Sequence, residues 1–137
     1  MGLIKNSYSC ALMLAMDLVG GKWKMVILWH LQSGVLRFSE LKRRLGKVTQ
    51  KMLTQQLREL EEAGLLSRTV YAVVPPKVEY KLTDTGQKLI PALAVLCQWS
   101  TDYANSHDIA YMTTDVRRSG SLQPGCQAAF RTNLRDF

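Results

Sequence analysis

Apolar and polar residues alternate along this chain with two periods, helical up to about residue 63 and again from residue 84, and strand-like in between. The first predicted helix covers residues 9–19 and stops at Gly20-Gly21, a strong terminator. The second covers 22–32. Trp23, Val26, Ile27, Leu28, Trp29 and Leu31 make it apolar on nearly every side, as in a buried central helix. Ser33-Gly34 ends it, and a short extended piece at 35–37 leads into a third helix with Ser39 as N-cap. Leu41 and Leu45 face inward there, while most of the charge on Lys42, Arg43 and Arg44 is solvated. Gly46, Lys47 and Val48 form a turn, and Thr49 caps a fourth helix that reaches about residue 63. Its Leu53, Leu57 and Leu60 follow i, i+4, i+7, a single buried stripe. The opposite face carries Gln50, Lys51, Thr54, Gln55 and Arg58. A short helix, a tight turn and a second helix with such a face have the form of a helix-turn-helix.

The period then changes. Residues 77–82 (KVEYKL) alternate strictly, a half-buried strand with Val78, Tyr80 and Leu82 inward. Residues 66–73 supply a partner strand, and Pro75-Pro76 marks the turn because proline cannot donate ladder hydrogen bonds. A two-stranded hairpin directly after such a helix is a wing. A last helix begins at Asp84, with Gln87 at capping-box spacing and an apolar stripe of Leu89, Ile90, Leu93, Leu96 and Cys97. Pro91 inside it predicts a kink or break. The helix fades near Ser106, and the SGSLQPG stretch beyond is linker-like. The expected organisation is one domain over 9–107 and a poorly ordered or irregular tail over 108–137. The fold class is mainly α with a small β-hairpin wing, a winged helix-turn-helix.

Charge sharpens this picture. Of the net charge of +7, residues 37–81 hold a surplus of five, with ten Lys/Arg against five Asp/Glu. A concentrated basic region is the footprint of phosphate contact. No segment reaches the roughly 18–20 apolar residues of a membrane span. The apolar run 10–16 is cut by Asp17 and lacks the flanks of a signal peptide, and in MGLIKN the residue Asn6 stands where myristoylation wants Ser or Thr. Cys10, Cys97 and Cys126 are too few and scattered for a disulfide framework, so a reducing cytoplasm is expected. Neither His30 nor His107 makes a metal-ligand spacing with a cysteine. Gly20-Gly21-Lys22 lacks the remaining residues of a phosphate loop, and no nucleophile elbow or paired-carboxylate arrangement occurs. Glu59, Glu61 and Glu62 read as a solvated face. No enzyme and no cofactor are expected.

Roles follow from position. Thr49, Gln50 and Lys51 lie at a helix N-terminus, where free N–H groups favour phosphate. Lys51, Thr54 and Gln55 are the candidates for base edges, and Arg58, a turn further on, for a base or the backbone. Lys77 beside the wing tip is placed for a flanking phosphate or the minor groove, and Ser39 and Arg43 for clamping the backbone. A free cysteine such as Cys10 reads either as a small buried hydrophobe or as a reactive thiol. Cys97 reads as core or interface.

Three stretches, DLVGGKWKMVILWHL, RFSELKRRLGKVTQKMLTQQLRELEEAGLL and RTVYAVVPPKVEYKLTDTGQKL, resemble the HxlR-type regulators, a MarR-related family of bacterial winged-helix proteins. The resemblance covers about residues 10–99. It implies a homodimer paired through the first and last helices, two recognition helices, and a near-palindromic operator of double-stranded DNA. In many members a cysteine near the start of the first helix senses oxidants or electrophiles. That position is Cys10 here, with Ala11 in place of the proline that often follows. Two other functional classes stay open. One is a regulator gated by a small aromatic ligand near Trp23, Trp29, Trp99 and Tyr103. The other is a winged-helix protein-interaction module without DNA binding.

Overall fold

In the computed structural model, which describes residues 4–111, the turn residues divide the chain where its period changes. Five helices and three strands follow in the order α1 (Ala11–Val19), α2 (Lys24–Leu31), β1 (Leu36–Arg37), α3 (Phe38–Leu45), α4 (Gln50–Glu62), β2 (Leu66–Tyr71), β3 (Lys77–Leu82) and α5 (Asp84–Ser106). Two compact units divide inside α5, after Lys88. Of the tail expected over 108–137, residues 112–137, with Cys126, lie outside the described residues.

The first unit holds α1 to β3. Its core is built from Ile27, Leu28 and Leu31 of α2, Leu41 and Leu45 of α3, Leu53, Leu57 and Leu60 of α4, and Leu66, Tyr80 and Leu82 of the sheet. The stripe expected on α4 is therefore the stripe that is buried, and α2 is buried along one side, with Val26 left exposed.

Two expectations need correcting. Ser39 does not cap α3. The helix starts one residue earlier, at Phe38, with extended Arg37 as the cap position and no side-chain cap bond. The cause is β1, which is a strand and not only an extended linker: Leu36 pairs with Tyr80 and Arg37 with Glu79. The wing is thus part of a three-stranded antiparallel sheet of order β1-β3-β2. The strand hands over directly to the helix, leaving Ser39 inside the first turn.

Both ends of α4 are fixed locally. Thr49 Oγ1 accepts from the Met52 N–H at 3.1 Å, the expected cap. At the other end Gly64 takes φ +75°, a left-handed conformation that favours glycine. The Leu65 N–H then reaches the Leu60 carbonyl and the Gly64 N–H the Glu61 carbonyl, at 3.0 and 2.9 Å. This paired closure satisfies helix-end carbonyls and turns the chain into β2. Thr83 performs the next junction: its hydroxyl donates to the Gly64 carbonyl and accepts from the Gly86 N–H at 3.1 Å. Thr83, not a box closed by Gln87, is therefore the cap of α5.

In the second unit α5 continues through Pro91 without a break. Ile90, Leu93, Ala94 and Ala104 are buried, whereas Leu96, expected on the inward stripe, is exposed together with Val95, Trp99 and Tyr103. Trp99 stacks on Tyr103 at 5.5 Å, and Tyr103 on His107 at 4.0 Å. Cys97 is half-buried.

Candidate nucleic-acid interface

Because Leu53, Leu57 and Leu60 fix which way α4 faces, the polar residues between them are forced outward. Gln50, Lys51, Thr54, Gln55 and Arg58 are all exposed. The Thr54 hydroxyl donates to the Gln50 carbonyl at 2.8 Å, leaving its oxygen free to accept. Among the described residues neither Lys51 nor Arg58 has an ion-pair partner. The first turn of α4 contains no acid, so its dipole and side chains both favour an anion. Ser39 and Arg43 are exposed on α3.

A groove of about 400 Å³ runs along this face, lined by Gln50, Thr54, Arg58 and Glu61 of α4, Arg68, Val78 and Tyr80 of the sheet, and Phe38 and Leu57 at its apolar side. Gln50, Thr54 and Arg58 are thus brought together, whereas Ser39, Arg43, Lys51, Gln55 and Lys77 do not line the groove. Arg68 was not foreseen. Its registration opposite buried Tyr80 puts a cation on the inward-facing side of the sheet, which only the pairing of β2 with β3 reveals.

Lys77 differs from the expected free wing-tip cation. Its ammonium lies 2.8 Å from Glu79 and 4.9 Å over the Tyr71 ring. The hydrogen bond from Lys77 holds the Glu79 carboxyl below its usual range. The pair has little net charge, so the wing tip is less basic than the sequence suggests. Its remaining surface is apolar, with Val73 and Val74 exposed.

Glu59 differs too. It is not simply a solvated acid: one carboxylate oxygen lies 2.7 Å from the Lys24 ammonium and the other accepts from Gln55 Nε2 at 2.8 Å. Lys24, at 6% exposure, is the buried charge of the first unit. Its hydrogen bond to Glu59, followed by that from Gln55, pulls the Glu59 pKa down. A lysine directly preceding the apolar run of residues 25–29 was the available signal, because a buried ammonium demands a counter-charge. Cys10 sits at the N-cap position of α1, exposed, free and making no side-chain cap bond. Among the described residues no cluster of metal ligands occurs, and no helix is long and apolar enough to cross a membrane.

Residues 18–108, which contain the leucine-held, threonine-capped α4 and the sheet that follows it, match the HxlR-like helix-turn-helix family. The chain belongs to that family. The HTH-type transcriptional regulator YkvN of Bacillus subtilis is 52% identical over 99 residues, 72% of this chain and 84% of that one. A regulator of the same type from Methanothermobacter thermautotrophicus is 48% identical over 103 residues, 75% and 79% of the two chains. Among solved structures, the redox regulator HypR in its reduced form matches with a TM-score of 0.69 at 40% identity, covering 74% of this chain and all of that one. Its oxidised form matches with a TM-score of 0.65 at 44% identity, covering 68% and 96%. This HxlR-type chain is a transcriptional regulator of the helix-turn-helix class.

Proposed function

We propose that the protein is a cytoplasmic homodimer that reads a near-palindromic operator in double-stranded DNA through α4, under the control of oxidants or electrophiles at Cys10. The observation that carries the DNA reading is the outward face of α4, where Lys51, in the first turn after the Thr49 cap, and Arg58, two turns further on, have no ion-pair partner among the described residues. Lys51, Thr54 and Gln55 meet base edges, Thr49 and Gln50 present N–H groups to a phosphate, and Ser39 and Arg43 hold the backbone. A flanking sugar-phosphate strand follows the groove past Arg58 and Arg68. Dimerisation draws support from two exposed apolar surfaces, Leu12, Met13 and Met16 on α1 and Val95, Leu96, Trp99 and Tyr103 on α5.

Arg58 and Lys77 separate the free from the paired cation. Replacing Arg58 by Ala weakens binding across sequences and flattens the salt slope by about one unit per protomer. Lys77→Ala flattens it by less, because the contact with Glu79 must open before the ammonium can take a phosphate. Fluorescence anisotropy across a salt series checks both, and a larger loss from Lys77→Ala would contradict the groove assignment.

Redox control draws on the exposed, unengaged thiol of Cys10 and on the likeness to HypR. The Cys10 thiolate attacks an electrophile to give an adduct, or two protomers each give up one electron and one proton to diamide, forming an inter-subunit disulfide and the corresponding hydrazine. Either change shifts the spacing of the two recognition helices, which must stay near ~34–36 Å to enter successive major grooves. Cys10→Ser protein should hold its DNA in diamide that releases the wild type. Full release from the Ser variant would remove Cys10 from the switch.

A further inference from the structure

Gln55 is tied to the interior of the protein. Its Nε2 donates to Glu59 Oε1 at 2.8 Å, one turn along α4, and Glu59 Oε2 lies 2.7 Å from Lys24 Nζ on α2. The three residues form a chain from a buried ammonium to an exposed amide. From this geometry we infer that Lys24 and Glu59 are positioning residues that hold the Gln55 amide in the one orientation that reads adenine in the major groove.

The direction of the amide follows from the chemistry of the carboxylate. Glu59 is held ionised by its ammonium partner, and an ionised carboxylate only accepts hydrogen bonds. The end of Gln55 that faces it must therefore be the NH2 group. One of the two N–H bonds is committed to Glu59, leaving one N–H and the carbonyl oxygen. A donor beside an acceptor is the pattern that matches adenine N7 and its N6 amino group. A free glutamine could turn its amide over and present the reverse pattern. The buried pair removes that choice, because reversal would set two acceptor oxygens against each other. The inference rests on α4 being the DNA-reading helix and adds which base it reads and what sets that preference.

Wild-type protein is used to select from a pool of duplexes with roughly 30 randomised base pairs, long enough for two half-sites a helical turn apart. The selected duplex is then titrated beside versions with each A·T pair replaced by G·C. One pair per half-site should show a preference for A·T of about tenfold or more that Gln55→Ala abolishes. At that same pair the double variant Lys24→Met/Glu59→Met, checked for folding by circular dichroism, should lose most of the preference, and Lys24→Arg should keep it. A double variant that retains the preference overturns the inference, as does a Gln55→Ala profile identical to the wild type. A second measurement needs no variant. In the 15N–1H spectrum of the wild type, one Gln55 side-chain N–H should be displaced from its partner, and acid that protonates Glu59 should remove the displacement. A Gln55 pair that ignores that titration overturns the inference as well. A wild-type selection that enriches no sequence overturns the DNA reading itself, a separate result.

Discussion

Replacing Glu59 by alanine should lower the stability of the protein by about 3 kcal/mol, whereas replacing Lys24 and Glu59 together by methionine should leave it within about 1 kcal/mol of the wild type. Lys24 is 6% exposed and its ammonium lies 2.7 Å from the carboxylate. Removing only the acid strands a cation in the core among apolar neighbours on α2. Removing both charges replaces the pair with apolar stems of similar length, which saves the desolvation of two ions. Urea denaturation of Lys24→Met, Glu59→Met and the double variant, with Glu59→Ala beside them, would measure this non-additivity. Equal losses from Glu59→Ala and the double variant would show that the charge pair is not the cause. The same pair sets an acid limit. The Glu59 pKa is lowered in the folded protein, so its contribution is complete above the ordinary carboxylate range and is lost as pH falls through the lowered value. Glu79 shifts in the same direction, but its pair lies at the surface, where salt screens it. Acid sensitivity that persists in high salt and disappears in the double variant belongs to Glu59.

Leu53→Ala should cost about 2–5 kcal/mol of stability, since Leu53 is fully buried and its loss leaves a cavity against α4. Its effect on DNA affinity, measured where the variant is still folded, should be less than about twofold, because its side chain makes no surface. Lys51 and Gln55 on the outer face should behave in the opposite sense, with stability nearly unchanged and affinity reduced. The contrast tests the facing of α4, since successive residues lie about 100° apart around a helix. If Leu53→Ala abolished binding by a fully folded protein, the groove face would have been assigned to the wrong side.

Much of this arrangement is written in local pattern. The stripe of Leu53, Leu57 and Leu60, the Thr49 cap and the alternation of KVEYKL each involve residues within a few turns or one strand. The structure reproduces the first two, and the third at buried Tyr80 and Leu82 around exposed Lys81, whereas Val78 is half-buried like Lys77 and Glu79. What the pattern does not carry is pairing across distance. β1 is two residues long and has no periodicity to detect; it is a strand because Tyr80 and Glu79 lie opposite it, more than forty residues away. The misplaced Ser39 cap follows from that pairing. Lys24 and Glu59 belong to different helices, so Glu59 resembles its solvated neighbours until α2 is laid against α4. Arg68 becomes a groove residue only through the register of β2 on β3. Lys77 and Glu79, two residues apart on one face of β3, are by contrast a local pair that the alternation of KVEYKL already contains. The outward face of α4 was legible in the sequence. The Lys24–Glu59 pair behind it was not.

The most direct test of α4 as a DNA reader is the salt dependence of binding to the duplex selected by the wild-type protein. The observed association constant should fall linearly on a double-logarithmic plot, with a slope of roughly −4 or steeper for a dimer that contacts several phosphates per protomer. Binding that does not change with salt would contradict the assignment of the basic face of α4 and its groove to DNA.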